Sequence, residues 1–227
     1  MQSGNSSKAV KMKLQRKPGL AVVISSPSGT GKTTICRALI DRNRDYEFSV
    51  SATSRKRRGL EKNGIDYWFL SREKFLDNKK RGHYIETTNY LGEFYGTPKR
   101  PLEKAIENGR VMLLDIDIRG GLSIKKAVPQ SVAIFILPPS FAELKKRLKK
   151  RETDSPEAQK RRLEEAWNEL AKWNHYDYAV VNDNLEKAIL EVEMIIEAER
   201  KKTCRLDKSK FWPKSLIIPL GLNKKSR

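Results

Sequence analysis

The sequence predicts an α/β fold whose core is a mostly parallel β-sheet, and two features of the chain carry this prediction. Short apolar runs alternate with longer helical stretches between about residues 19 and 199, which is the order expected when helices cross over between parallel strands. The first apolar run also leads directly into a glycine-bearing turn and then into a helical stretch. A chain of 227 residues with 38% hydrophobic content can bury a substantial core as one domain.

The strand candidates are short apolar runs of the kind found in sheets that are buried on both faces. They are Leu20–Ser25, Val111–Ile116, Val132–Leu137 and Tyr178–Asn182. The helix candidates are Thr33–Asn43, Arg72–Lys80, Lys99–Asn108, Phe141–Lys150, Pro156–Trp173 and Leu185–Lys201. Residues 48–97 interrupt the alternation with polar, aromatic and charged side chains. We expect them to form an inserted lobe that contains a sheet.

The turn after the first strand has the pattern of a phosphate-binding P-loop, Ser26-Pro27-Ser28-Gly29-Thr30-Gly31-Lys32-Thr33. Such a loop requires a buried strand before it and a helix N-terminus after it, and the sequence predicts both. Backbone N–H groups at the helix start, the helix dipole and Lys32 would converge on the β- and γ-phosphates of a nucleotide. We therefore predict that Ser26 to Thr34 bind a nucleoside triphosphate, with the Thr33 hydroxyl on Mg²⁺. Ser26 stands where the pattern has its first glycine, which implies some backbone strain.

The inserted lobe carries residue types that suit the phosphate and the base of a nucleoside monophosphate. Arg55 and Arg58 lie three residues apart, and tyrosines follow at positions 67 and 95. The planar fork of arginine grips phosphate oxygens in a bidentate manner, and phenolic hydroxyls add directional donors. Glu86 suits guanine, because N1–H and the N2 amine of that base present two adjacent donors. A solvated basic loop is the alternative interpretation of the arginine run.

Four segments of the chain together resemble a known family in their order and spacing. They are Ser51-Ala52-Thr53-Ser54-Arg55-Lys56-Arg57-Arg58-Gly59 with Gly64-Ile65-Asp66-Tyr67-Trp68-Phe69, then Tyr84-Ile85-Glu86, Tyr95-Gly96-Thr97-Pro98 and Leu114-Asp115-Ile116-Asp117. This pattern is similar to that of guanylate kinases over about residues 19–199. The resemblance implies a P-loop NTPase-type parallel sheet core, a GMP-binding lobe over residues 48–97 and a helical lid over residues 141–163.

The resemblance also assigns residues to GMP by motif position. One set would hold the GMP phosphate: Arg55, Arg58, Tyr67 and Tyr95. A second set would read the guanine: Ser51, Glu86, Thr97 and Asp117. Asp115 would lie beside the nucleotides and orient Mg²⁺ through water. The chain departs from the family pattern at three positions, where Ser54 replaces a threonine, Arg57 replaces a proline and Leu60 separates Gly59 from Glu61.

A basic helical segment receives a role from the same resemblance. In isolation, the charges between residues 144 and 151 would indicate a solvated helix surface. In the family this region is a mobile lid, so arginines matching Arg147, Arg151 and Arg162 would close over ATP and offset charge on the transferred phosphoryl group. The segment 180–183 resembles one that touches the ATP base, with Asn182 as the contact.

The implied reaction is ATP + GMP ⇌ ADP + GDP, with Mg²⁺ as cofactor and with Lys32 and the three lid arginines as catalytic residues. A kinase of another nucleoside monophosphate is one alternative, and the guanine-reading residues Ser51, Glu86 and Asp117 argue against it. A non-catalytic scaffold of the same fold is a second alternative. Such scaffolds typically lose the P-loop lysine and the lid arginines, both of which are present in this chain.

The net charge of +19 raises a third alternative, a nucleic-acid-binding protein. Residues 1–17 contribute +5 and residues 200–227 contribute +9, so most of the excess lies in the two tails. No recognised nucleic-acid reader motif appears, so we expect ATP and GMP as partners and no nucleic acid. We expect residues 1–18 to be a basic disordered extension, with an organelle transit peptide as the alternative, and residues 200–227 to be a basic tail.

Neither membrane insertion nor a disulfide framework is expected. No apolar run approaches the roughly 20 residues that a membrane-spanning helix needs. The chain has only two cysteines, Cys36 and Cys204, and Cys36 falls within a predicted helix, which favours a reducing compartment and a cytoplasmic location. No heptad marks a subunit interface, so the sequence makes no prediction of the oligomeric state.

Overall fold

The computed structural model describes residues 18–90, 92–149 and 156–206. In chain order its strands are β1 (Leu20–Ser25), β2 (Tyr46–Phe48), β3 (Ala52–Thr53), β4 (Trp68–Phe69), β5 (Tyr84–Tyr90), β6 (Glu93–Pro98), β7 (Val111–Asp115), β8 (Val132–Leu137) and β9 (Tyr178–Val181). Its helices are α1 (Lys32–Arg42), α2 (Arg72–Lys80), α3 (Lys99–Glu107), α4 (Ile118–Ala127), α5 (Phe141–Lys149), α6 (Pro156–Leu170) and α7 (Leu185–Arg200). No helix in these ranges is both long and apolar enough to cross a membrane.

The central sheet has five parallel strands in the order β2-β7-β1-β8-β9, which confirms the predicted core. Strand β1 lies in the middle, and all six of its residues are buried. Its neighbours are in register such that Val22 pairs with Leu113 on one side and with Val132 on the other. Because the carboxyl ends of parallel strands meet at one edge, the segments that follow β1 and β7 lie side by side there.

Helices cover both faces of the central sheet. Alternate residues of β1 point to opposite faces, so Leu20, Val22 and Ile24 pack with α1 and α7, while Ala21 and Val23 pack with α3 and α4. Fully burying an aliphatic side chain of this size stabilises the fold by about 1.5–3 kcal/mol. The helices packed on both faces fix the sheet edge at which the segments that follow β1 and β7 meet.

The second sheet is inserted between β2 and α3 and has the strand order β4-β3-β6-β5, as the interrupted alternation predicted. Strands β5 and β6 form an antiparallel hairpin, and α2 packs against it through Phe75, whose ring stacks on Tyr84 at 4.7 Å and on Phe94 at 5.5 Å between centroids. Strand β6 ends at Pro98 and runs directly into α3, where the Lys99 N–H donates to the His83 carbonyl at 2.9 Å.

Most predicted elements are confirmed within one or two residues, but strand β2 of the central sheet and helix α4 beside it were not predicted. Strand β2 has only three residues and contains Phe48, so that residue belongs to the central sheet. Helix α4 contains the pair Gly120-Gly121, which conceals its helical pattern. The helix predicted over residues 156–173 ends at Leu170, and a 3₁₀ turn follows at Trp173–His175. Helices α5 and α6 pack together through Leu144, Leu148 and Ala166.

Candidate active site

A cleft of about 560 Å³ lies at the carboxyl edge of the central sheet and is lined by residues of both sheets. The P-loop forms one wall with residues 26–34. The lining from the inserted segment consists of Ser51, Tyr67, Glu86, Thr88, Tyr90 and Tyr95. Asp115, Ile116 and Asp117 after β7, Gly120 of α4 and Glu169 of α6 complete it. The fold thus joins the two predicted nucleotide sites in one cavity.

The P-loop backbone is held in place by side chains around it. Gly29 and Gly31 have φ values of +87° and +92°, which L side chains rarely adopt. A Cβ on Gly31 would lie 2.6 Å from the Asn182 amide nitrogen, and that nitrogen donates to the Thr30 carbonyl at 2.7 Å. The Ser26 hydroxyl donates to the Pro27 carbonyl at 3.1 Å. The serine that replaces the first glycine is therefore satisfied within the loop.

Lys32 of the P-loop is paired with Asp115. The lysine Nζ lies 2.5 Å from Asp115 Oδ1 and donates to the Ile116 carbonyl at 3.0 Å, while the Thr33 hydroxyl donates to Asp115 Oδ2 at 2.7 Å. Burial opposes the charge on Lys32, but Asp115 stabilises it, and the pKa of the lysine is raised. One carboxylate thus contacts both P-loop residues that were predicted to act on the phosphates.

Arg55 is buried and preorganised on the side of the inserted sheet. Its guanidinium donates to both oxygens of Glu61, at 2.9 and 2.8 Å, and lies 5.3 Å from the centroid of the Tyr67 ring. The Tyr67 and Tyr95 rings meet edge to face at 5.9 Å. Arg58 is exposed, and its backbone N–H donates to Glu61 at 2.8 Å. Glu61 therefore reaches the arginines although Leu60 interrupts the family pattern.

The opposite end of the cleft carries two carboxylates. Glu86 Oε1 accepts from the Thr97 hydroxyl at 2.8 Å, but its buried Oε2 has no hydrogen-bond partner among the described residues. Burial raises the pKa of Glu86 to about 7, and the nearby Asp117 adds to this effect. Asp117 caps α4 by accepting from the Gly120 N–H at 2.7 Å. A Cβ on Gly120 would lie 3.3 Å from Asp117 Oδ1 and 3.6 Å from Glu86 Oε2, so a side chain at this position would occupy space beside both carboxylates.

Several predicted residues lie outside the cleft lining. Thr97 is fully buried behind Glu86, and Asn182 is buried behind the P-loop, so its contact with a nucleotide base stays a prediction. Arg147 of α5 donates to Glu143 at 3.0 Å and to the Asn182 carbonyl at 3.4 Å. Arg151 and the side chain of Arg162 fall outside the described part of the chain.

Four lining side chains were not predicted from the sequence to belong to the site: Thr88, Tyr90, Ile116 and Glu169. The first two follow Glu86 at intervals of two along β5, so strand alternation places them on the same face. Glu169 lies on α6, and burial raises its pKa to about 7, with Asp117 and Glu165 contributing. The Tyr90 hydroxyl donates to Glu165 of the same helix at 3.0 Å.

Comparison with known proteins identifies the family of this chain. The family model for guanylate kinase matches residues 18–199. The chain belongs to the guanylate kinase family. The matched range is nearly the same as residues 19–199, over which the sequence motifs resemble those of guanylate kinases.

Individual members of the guanylate kinase family are similar over most of their length. The guanylate kinase of Carboxydothermus hydrogenoformans is 41% identical over 189 residues, which are 83% of this chain and 93% of that relative. The guanylate kinase of Clostridium perfringens is 43% identical over 192 residues, or 85% of this chain and 88% of the relative. A crystal structure of guanylate kinase from Anaplasma phagocytophilum has a TM-score of 0.70 at 34% identity, covering 83% of this chain and 90% of that one.

Proposed function

We propose that this protein is a guanylate kinase that reversibly transfers the γ-phosphoryl group of ATP to GMP, with dGMP as a second acceptor. The observation that carries the proposal is the cleft, which joins a P-loop to the buried Glu86 and the partly buried Asp117. Membership in the guanylate kinase family supports the same conclusion. The residue roles below are part of the proposal.

The P-loop would hold the phosphates of ATP. Backbone N–H groups at the start of α1 and the positive end of the helix dipole attract the phosphate oxygens. Lys32, which is paired with Asp115 before ATP binds, would then turn to these oxygens and follow the transferred group. ATP-using kinases generally need Mg²⁺, and the Thr33 hydroxyl and the Asp115 carboxylate are hard oxygen donors that fit this ion. When bound, the ion offsets charge on the phosphate oxygens.

The far end of the cleft would read guanine. The buried Oε2 of Glu86, which has no hydrogen-bond partner within the described ranges, can accept from N1–H or the N2 amine of the base, and Asp117 and Ser51 also line the cleft. An adenine edge presents a different donor pattern and leaves the buried carboxylate unpaired, which disfavours AMP. Thr97 would act by orienting Glu86 through its 2.8 Å hydrogen bond.

The GMP phosphate would bind between the two ends of the cleft. The Tyr67 and Tyr95 hydroxyls line this part, and Arg55 lies behind them in contact with Glu61. The acceptor is already an anionic phosphate oxygen, so the transfer needs positioning, exclusion of water and offset charge rather than a strong base. Lys32, Arg147, Arg151 and Arg162 are the residues we propose for this role.

The test is a coupled ADP-release assay with ATP–Mg²⁺ and each monophosphate in turn. We expect turnover with GMP and dGMP, and at least a hundredfold lower kcat/KM with AMP, UMP and dTMP. Turnover with a different base would retain the kinase and refute the assignment of Glu86 and Asp117. Binding of ATP without any turnover would indicate a non-catalytic scaffold.

A further inference from the structure

A hydrogen bond connects the inserted sheet to helix α6 across the mouth of the cleft. Tyr90 is the last residue of β5, and its hydroxyl donates to Glu165 Oε2 at 3.0 Å. Among the described residues this is the one hydrogen bond shown between the inserted sheet and α5 or α6. The proposed reaction gives neither residue a role.

Negatively charged side chains in the cleft oppose a close approach of α6. The helix brings Glu165 and Glu169 toward an end of the cavity that already holds Glu86 and Asp117. Burial, together with the charges of Asp117 and Glu165, raises the pKa of Glu169 to about 7, while Lys32 and Lys172 offset only part of this effect. Like charges therefore favour withdrawal of the helix, and a neutral donor is needed to hold it.

The hydroxyl of Tyr90 supplies that donor. It satisfies one oxygen of Glu165 without adding charge, and it lies on the same strand face as Glu86. Because Glu165 and Glu169 are four residues apart, they occupy one side of α6. Holding Glu165 at the end of β5 therefore also keeps Glu169 in the wall of the cleft, where the lining includes it.

We propose that Tyr90 is a positioning residue for GMP binding, which holds α6 and its Glu169 against the guanine end of the cleft. The inference rests on the proposed function, because the cleft must be the GMP site. Loss of the bond would let α6 withdraw and would widen the site before GMP arrives. The bond joins β5 to α6 and involves no residue of the P-loop, so the effect should fall on the KM for GMP and spare both the KM for ATP and kcat.

The test combines steady-state kinetics with hydrogen exchange. Tyr90→Phe and Glu165→Ala should each raise the KM for GMP by about fivefold, with kcat and the KM for ATP within twofold of the parent protein. The double variant should match the single variants, because both remove one interaction. Glu165→Gln should leave the KM for GMP close to that of the parent protein, since its amide oxygen can still accept the hydrogen bond from Tyr90. Tyr84→Phe on the same strand and Glu164→Ala on the same helix are matched controls that should leave the KM unchanged.

Hydrogen exchange of the ligand-free protein separates this inference from the proposed function. Tyr90→Phe should speed exchange of the backbone amides of α6 and of the β5–β6 hairpin, and Tyr84→Phe should not. Faster exchange in a protein that does not phosphorylate GMP would refute the proposed function and the role of Tyr90 in GMP binding, while leaving the contact itself established. A protein that phosphorylates GMP but shows no change in KM or in exchange would refute the role of Tyr90. The inference would also be refuted if the double variant raised the KM for GMP by the product of the two single-variant factors.

Discussion

At the scale of single residues, Glu86 is suited to recognition and poorly suited to stability. Its side chain is buried, one oxygen has no partner among the described residues, and its pKa is raised to about 7. Guanine would supply the missing donors. The same carboxylate in its charged form therefore destabilises the ligand-free protein, and under the proposed function it would stabilise the complex with GMP.

Replacing Glu86 by glutamine should separate these two effects. The charged acceptor is lost, so GMP should bind more weakly relative to AMP by about 1–3 kcal/mol. The measurement is the ratio of kcat/KM for the two substrates. A ratio equal to that of the parent protein would mean that another group reads the base. Thr88→Ala, on the same strand face, is the control that keeps the carboxylate.

Glu86→Gln should also make the stability of the ligand-free protein less dependent on pH. A carboxyl group whose folded pKa lies above its ordinary value of 4.5 contributes stability that is complete below pH 4.5 and is lost as pH rises through about 7. Glutamine imitates the protonated form. Its free energy of unfolding in urea should equal that of the parent protein at pH 4 and exceed it by about 3 kcal/mol at pH 8. A difference independent of pH would contradict ionisation of the buried Glu86 as the cause.

Lys32 should be needed for transfer more than for GMP binding. The lysine lies in the P-loop, where it pairs with Asp115 and donates to the Ile116 carbonyl. Lys32→Ala should lower kcat by about a hundredfold or more, as for other groups that stabilise developing charge, while the dissociation constant for GMP changes little. Isothermal titration with GMP beside turnover assays makes this comparison, and unchanged turnover would refute the proposed site.

The sequence predicted the residues of the site that belong to linear motifs, and it missed those that tertiary packing brings there. The P-loop, Ser51, Tyr67, Glu86, Tyr95 and Asp117 were predicted and line the cleft. Glu169 itself lies more than 50 residues after Asp115, the last residue of β7, so no local pattern points to it. Likewise, the pairing of Lys32 with Asp115 depends on the parallel register of β1 and β7, which a motif does not specify.

At the scale of elements, Asn182 connects the end of β9 to the P-loop. The residue follows β9, and its amide donates to the Thr30 carbonyl at 2.7 Å in a buried position. Asn182→Asp keeps the size of the side chain but removes the donor. We expect the free energy of unfolding to fall by about 1–3 kcal/mol and the KM for ATP to rise, because the loop loses its support. Asn168→Ala, an exposed position on α6, is the control, and equal stability of the two variants would refute this role.

The two elements that were not predicted from the sequence show where local pattern fails. Each glycine inside a helix costs about 1 kcal/mol relative to alanine, so Gly120 and Gly121 suggest a loop. Packing explains the second glycine, since a Cβ on Gly121 would lie 2.6 Å from the Tyr176 hydroxyl and 2.8 Å from Ser25 Oγ. Strand β2 is too short to show alternation, and it forms because β7 offers hydrogen-bonding groups beside it. Elements with a clear local sequence pattern were predicted with the correct bounds. Examples are the apolar runs of β1 and β8 and the helix α2.

At the scale of the whole molecule, Arg200 connects three chain segments at the amino edge of the central sheet. Its guanidinium is almost fully buried and donates to the carbonyls of Pro18 and Gly109 at 3.1 and 2.9 Å and to Asp45 at 2.7 Å. These residues precede β1, β7 and β2. The last helix therefore fastens three strands on the side of the sheet opposite the cleft.

Arg200→Ala should lower the free energy of unfolding by about 2–4 kcal/mol, because buried carbonyls lose a charged donor. Kinetic constants at 25 °C should stay within twofold, since the site lies at the other edge. Urea unfolding monitored by circular dichroism gives the first quantity, with the exposed Arg100→Ala as the control. A stability equal to that of the control would show that Arg200 is replaceable by water, and a large change in kcat would show that the two edges are coupled.

The direct passage of β6 into α3 makes the β5–β6 hairpin a lever. The inserted sheet joins the central sheet through residues 49–51 and through Pro98, and the hairpin extends from this junction to Tyr90 and Glu93, which pair at its tip. Five residues at about 3.4 Å each give an arm of about 17 Å, so a rotation of about 10° at the junction moves the tip by about 3 Å. That displacement equals the whole 3.0 Å length of the bond from Tyr90 to Glu165. A hydrogen bond at the tip acts far from the junction. It therefore resists rotation of the hairpin as strongly as contacts near the junction that exert several times its force.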